Sequence, residues 1–241
     1  MEESLDNPGP VIAWTLSGSL LELRHARGVL RLEAVAPDIL RVRFAPDGEF
    51  APRRDWDVTE RLPGVAPRLV EEDGTLRIET AALTAPLDLR SGTLGLRTPG
   101  GRAFAEDLGP PGWREMSLRE TALEHMPDVE LPPGRARTAL FLDKRLDPEA
   151  GCFGFGQRTG RLDRRHRRLT NWTIDRASPG HCRGNDNMYQ AHPVCLVQRP
   201  GLCWGLFLHS TWYSAFDAGA ERENTLTLFT LGGELDYYLF A

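Results

Sequence analysis

The sequence predicts an all-β fold, an antiparallel β-sandwich with few short helices. Three observations carry that reading: period-two alternation, short connections rich in turn residues, and the near absence of helical patterning. Val29-Leu30-Arg31-Leu32-Glu33-Ala34-Val35 and Ile39-Leu40-Arg41-Val42-Arg43-Phe44 alternate apolar with charged residues. Strands with one face buried and one face wet read this way. Ser19 to Arg24 precedes them, and the links Ala26-Arg27-Gly28 and Ala36-Pro37-Asp38 are short enough for an antiparallel meander. Thr75 to Thr80 follows Asp73-Gly74, a dipeptide suited to a two-residue hairpin turn. Further strands are expected at Leu83 to Leu89, Thr93 to Thr98, Thr138 to Leu142, Val194 to Val197, Cys203 to His209 and Thr225 to Leu231. Many short strands separated by turns favour packed sheets.

One stretch departs from this pattern. Glu115 to His125, with Met116, Leu118, Ala122, Leu123 and Met126 as its apolar positions, suits either a short helix or an irregular strand. Pro110-Pro111 and Pro132-Pro133 bracket it as an excursion from the sheets. No repeat or low-complexity linker divides the 241 residues, so residues 1–241 read as one domain.

Composition narrows the function. With 26% charged residues and a formal net charge of −5, the chain lacks the basic balance of a phosphate-backbone binder, and nucleic acid is not an expected partner. The cluster Arg161, Arg164, Arg165, His166, Arg167 and Arg168 lacks interleaved aromatics and a helical frame. It reads as a solvated turn or as a source of salt bridges to another domain. Lys144 is the single lysine among many arginines, a bias of the kind whole genomes impose. Cys152, Cys182, Cys195 and Cys203 include no CxxC pair, and no metal-ligand spacing joins them to His181 or His192. They are read as reduced thiols of a cytoplasmic protein, with no metal or cofactor expected. MEESLDNPGP has no signal-peptide character, and no apolar run is long enough for a membrane helix.

Gly154-Phe155-Gly156 opens no helix and misses the dinucleotide-binding spacing, and no G-x-S-x-G nucleophile elbow occurs. The surrounding segment is more informative. Gly154-Phe155-Gly156-Gln157-Arg158-Thr159-Gly160-Arg161-Leu162-Asp163-Arg164-Arg165 runs on to Asn171-Trp172-Thr173-Ile174-Asp175. It resembles the segment of glycoside hydrolase family 31 in which a G-x-G-[EQ]-[KR]-T-G-x-L-[DN]-[RK]-[RK] run precedes a W-x-x-D loop. Gln157 stands where many relatives have glutamate. Three later stretches resemble that family in order: Met188 to Pro193, Gly205 to Thr211 and Gly232 to Tyr238. The loop around His181 to Asp186 diverges, so its contacts are not carried over.

The resemblance implies the amino-terminal, galactose mutarotase-like sandwich of a retaining α-glycosidase. Its paired catalytic aspartates would lie on a (β/α)8 barrel expected after residue 241. Retaining hydrolysis needs two carboxyl groups about 5 Å apart, and the family's nucleophile motif is absent here. The chain alone is therefore expected to be inactive. Its implied partners are the barrel of the same polypeptide and an α-linked oligosaccharide or glycoside.

In relatives the W-x-x-D loop reaches over the barrel mouth. The matching positions, Trp172 and Asp175, become candidate substrate contacts, with Arg176 and Tyr189 as further candidates. A carboxylate accepts sugar hydroxyls and an indole offers a sugar ring an apolar face. The other readings are loop capping for Asp175 and domain-interface packing for Trp172. Alternatives for the whole chain are a free-standing carbohydrate-binding sandwich and a mutarotase-like epimerase. The latter needs a poised His and carboxylate, and the six histidines suggest no such pair, His192 reading as a core residue. A chain separated from its barrel is also expected to expose an apolar docking face, through which it could self-associate.

Overall fold

The computed structural model describes residues 4–52, 64–116, 137–175 and 188–241. Among the described residues, eighteen strands form three antiparallel sheets, and there is no α-helix. The largest sheet has eight strands. In spatial order these are β1 (Val11–Ser17), β2 (Leu20–His25), β3 (Val29–Ala36), β4 (Ile39–Ala45), β18 (Leu235–Phe240), β15 (Leu202–Leu208), β14 (Val194–Arg199) and β12 (Gly151–Gly154). A second sheet orders β10 (Gly112–Glu115), β11 (Thr138–Arg145), β17 (Thr225–Leu231), β16 (Ser214–Ala218) and β13 (Arg168–Asn171). The third runs β5 (Arg68–Glu72), β6 (Thr75–Glu79), β7 (Thr84–Asp88), β8 (Leu96–Arg97) and β9 (Ala103–Phe104).

The alternating runs become β2, β3, β4 and β6, and their apolar sets meet in one core. Leu21, Leu23, Leu30, Leu32, Leu40, Val42 and Phe44 pack from the large sheet against Leu140, Leu142, Phe216 and Leu228 of the second. Leu76, Ile78 and Leu87 of the third join the same cluster. The Asp73-Gly74 turn closes the β5–β6 hairpin with both residues at positive φ, 50° and 76°, as a type I′ turn requires.

One open reading is narrowed and one expectation is corrected. Glu115 follows the strand alternative and not the short helix. It is the last residue of β10, paired with Thr138, because the ladder begun at Gly112↔Phe141 continues through it. Met116 then turns into an apolar cluster; residues 117–125 of that stretch lie outside the described residues. Nor is the charged side of β4 wet. Arg41 is buried beside Asp236 of β18, which pairs with β4.

The second sheet is apolar on both sides. Its outer face carries Ala139, Phe141, Ala215, Phe229 and Leu231, gathered with Met116 and Tyr213 into a separate cluster. Trp172, just beyond β13, packs onto that cluster.

Candidate functional site

The glycine- and arginine-rich segment is a brace that folds back on its own main chain. Gly154 leaves β12 at φ 102°, and a Cβ there would lie 2.5 Å from the carbonyl oxygen of Val194. Phe155 follows at φ 67°, with its ring fully buried 5.3 Å from Phe216. Gly156, at φ 81°, lies so close to the next strand's lead-in that a Cβ would meet the His192 nitrogen at 2.6 Å. The left-handed conformation costs an L side chain about 1–2 kcal/mol before any clash is counted.

The arginines then satisfy the carbonyl groups these turns leave without ladder partners. Arg158 donates to the carbonyls of Phe155 at 2.9 Å and Thr170 at 2.6 Å. Arg164, buried, donates to those of Thr159 at 2.8 Å and Arg158 at 3.3 Å. Arg165 reaches the carbonyls of Asp147, Ala150 and Glu223, and Arg167 that of Thr159. The Asp163 carboxylate accepts from the Cys152 and Arg165 amides, both at 3.0 Å. Arg164, Arg165 and Arg167 are thus taken up by this chain's own main chain, whereas Arg161, His166 and Arg168 are exposed, as a solvated turn has them. A guanidinium presents five donors in a fixed fork, which suits it to collecting several carbonyls at once. The Arg158 bond to Thr170 ties the brace directly to β13.

β13 delivers the candidate loop. Asn171 pairs with Ser214 at the start of β16 and donates to its hydroxyl at 3.0 Å. Trp172 therefore emerges beside Tyr213, with ring centroids 6.0 Å apart and planes inclined by 59°. The indole is half-buried against the outer apolar cluster. Three residues later Asp175 is exposed, and among the described residues no group donates to its carboxylate. The Ile174 amide bonds to the Met188 carbonyl at 3.0 Å. That bond ties the segment carrying Asp175 to the one carrying Tyr189, which is exposed. Three of the four candidates thus lie on two hydrogen-bonded segments that form the rim: an anchored indole, an exposed carboxylate and an exposed phenol. Arg176 lies outside the described residues. His192, expected in the core, is exposed instead.

A polar cluster on the outer face of the large sheet is less apparent from the sequence. Arg41 grips Asp236 through two bonds of 3.0 and 2.7 Å, while Arg43 donates to Glu234 at 2.5 Å. His209 Nδ1 lies 3.3 Å from Asp236, and the Arg41 guanidinium sits 5.1 Å from the Tyr238 ring centroid. Burial opposes the charged form of Asp236. Hydrogen bonds with His209 and Arg41, with the charges of Arg41 and Arg43, outweigh it and hold the carboxyl below its ordinary value. The His209–Asp236 contact thus belongs to a buried cluster in which Arg41, Asp236 and Tyr238 hold one another. The signal was the pair of arginines in β4, whose partners lie almost 200 positions away in the chain.

The brace makes a local prediction. Gly156→Ala is expected to cost about 2 kcal/mol or more in unfolding free energy, since both φ and space oppose it. Gly160→Ala is expected to cost less, because the nearest atom there is a flexible arginine tip at 3.2 Å. Denaturant unfolding of the two variants compares them.

Comparison with known proteins agrees with this architecture. Residues 29–217 match the sequence profile of the Glycosyl hydrolase 31 N-terminal galactose mutarotase-like domain. Alpha-glucosidase 2 of Bacillus thermoamyloliquefaciens is 26% identical over 214 residues, covering 89% of this chain and 24% of that protein. A family 31 dextranase of Flavobacterium johnsoniae, solved with glucose, superposes over 98% of this chain and 26% of its own, with a TM-score of 0.80 at 19% identity. The cycloalternan-forming enzyme from Listeria monocytogenes, solved with a pentasaccharide substrate, covers 98% of this chain and 21% of its own, with a TM-score of 0.74 at 13% identity. The two solved structures share the fold, and the chain spans about a quarter of the length of these relatives. The chain belongs to the Glycosyl hydrolase 31 N-terminal galactose mutarotase-like domain family.

Proposed function

We propose that this chain serves as the non-catalytic amino-terminal module of a retaining α-glycosidase. It packs against the catalytic barrel of the same polypeptide and supplies one wall of the substrate pocket. The observation that carries the reading is the rim of Trp172, Asp175 and Tyr189 at the end of the arginine brace. The brace fixes the loop through main-chain bonds, while the Asp175 carboxylate remains exposed. A carboxylate in that state can accept two hydroxyl hydrogen bonds from a sugar. Trp172 is anchored by Tyr213, and its less buried side faces the same ligand or the barrel. Arg176 completes the proposed contact set. The hydrolytic chemistry, with its two carboxyl groups, belongs to the barrel, and the 241-residue chain alone releases no sugar.

Asp175→Ala in the full-length enzyme tests this. Loss of a charge-assisted hydrogen bond costs about 1.5–3 kcal/mol, so kcat/KM for an α-linked disaccharide is expected to fall roughly tenfold to a hundredfold. The unfolding midpoint should stay unchanged, because Asp175 supports none of the described main chain. Unchanged kinetics across several α-glycosides would remove Asp175 from the pocket and with it the reading.

A further inference from the structure

We propose that β1 is a self-pairing edge through which two copies of this chain associate, joining their eight-stranded sheets across a two-fold axis. β1 is the outermost strand of that sheet, and every residue from Ile12 to Ser17 is exposed. Among the described residues, no main-chain hydrogen bond beyond the β2 ladder involves residues 13–17; Val11 bonds to the Leu89 carbonyl and closes off the strand's beginning. A row of open N–H and C=O groups is a template for another strand. Natural edges are usually guarded by charge, proline or a bulge.

Here the guards are confined to one end. Pro10 and the irregularity between Val11 and Ala13 protect the start of β1. No charged residue occurs from Asn7 to Leu21, in a chain that is 26% charged. Trp14 and Leu16 pair with Leu23 and Leu21, so they point to the core side of the sheet. Their partners are fully buried, yet Trp14 and Leu16 remain 36% and 39% exposed.

The remaining five residues are self-complementary. Antiparallel pairing centred on Thr15 sets Ala13 against Ser17 and Trp14 against Leu16, with Thr15 facing its own copy. Both Trp14–Leu16 pairs then lie on the core side and cover one another, and the threonines meet on the other side. Aromatic–aliphatic and Thr–Thr cross-strand pairs are each favourable. No like charges face each other, and no bulge interrupts the ladder. A partner of different sequence would need the same uncharged, alternating strand; a second copy supplies it in the required direction. The contact is smaller than the roughly 1,000 Å² of a stable interface, so association is weak and concentration-dependent.

Sedimentation velocity over a concentration series tests the register. The wild-type chain is expected to shift from monomer to dimer in the micromolar range. Thr15→Lys and Thr15→Glu, each exposed on the outer side, place like charges directly opposite and should each weaken the dimer several-fold. An equimolar mixture of the two variants should recover association as a heterodimer, which also shows that both fold. A wild-type chain that stays monomeric at the highest concentration overturns the proposal. So does a dimer indifferent to Thr15→Lys, which would place the contact on another surface.

Discussion

Lys144→Ala is expected to lower the unfolding free energy by about 3–5 kcal/mol, the usual cost of breaking one side of a buried ion pair. The only lysine in the chain is fully buried on β11. Its Nζ donates to Asp107 at 2.6 Å and to the Ala105 carbonyl at 3.1 Å, with the Tyr237 ring 5.2 Å away. Asp107 also accepts from the Leu94 amide at 2.9 Å. The pair therefore fastens the end of the third sheet to the second, beneath a residue of the first. Burial pushes the Asp107 carboxyl above its ordinary value, against the pull of Lys144.

Without Lys144 only the Leu94 amide still offsets that burial, and the sign of the pH dependence follows. A carboxyl raised in the folded state is tolerated below its unfolded value and costs progressively more as pH rises through the folded one. Lys144→Met should thus be more destabilised at pH 7 than near pH 4, as chemical denaturation at the two values would read. Adding Asp107→Leu should recover most of the loss, since replacing both charges by apolar groups is often neutral. An unconditional loss in the double variant would mean that packing, not the orphaned charge, dominates.

Asp236→Asn is expected to have the second large effect, again about 3–5 kcal/mol, by leaving Arg41 buried without its bidentate partner. Arg41 and Asp236 are both nearly inaccessible, and Arg41 is raised in pKa: burial acts to lower it, and the hydrogen bonds and charge of Asp236 more than compensate. Asp236 is depressed in the folded state. Its contribution is fully present above the ordinary carboxylate value of about 4 and is lost as pH falls through the lower folded value. The wild-type chain should therefore lose stability on that acid limb, and Asp236→Asn should flatten it. An acid limb unchanged in the variant would assign the slope to other carboxylates.

These two pairs mark where the sequence was silent. Period-two alternation located β2, β3, β4 and β6 because those strands have one consistently apolar face. It said nothing of β16 and β18, whose residues are almost all buried. Covered on both sides, they carry Asp217, Asp236 and the tyrosines inward, so no alternation survives. β5 is largely exposed and was masked for the opposite reason. Arg41 and Arg43 read as a wet face, since a charge is expected outside unless its partner is known, and Asp236 and Glu234 lie at the far end of the chain.

The candidate loop was legible for a different reason. Gly154, Gly156, Arg158, Asp163, Arg164 and Arg165 each meet a main-chain constraint that few other residue types satisfy, so the string is specific. The basic character of Arg164, Arg165 and Arg167 misled because charge alone does not distinguish a solvated arginine from one collecting carbonyls. Trp172, Asp175 and Tyr189 were candidates by resemblance, and the neighbour Tyr213 was not foreseeable, because β16 brings it to Trp172 only through sheet topology.

We propose that the brace presents Asp175 to a sugar held by the barrel. A crystal structure of the full-length enzyme with a bound α-linked disaccharide measures it directly. The expected result is an Asp175 carboxylate oxygen at about 2.6–3.2 Å from a sugar hydroxyl, with Trp172 still seated against Tyr213. A disaccharide bound in the barrel with Asp175 turned away from every sugar hydroxyl would contradict the account.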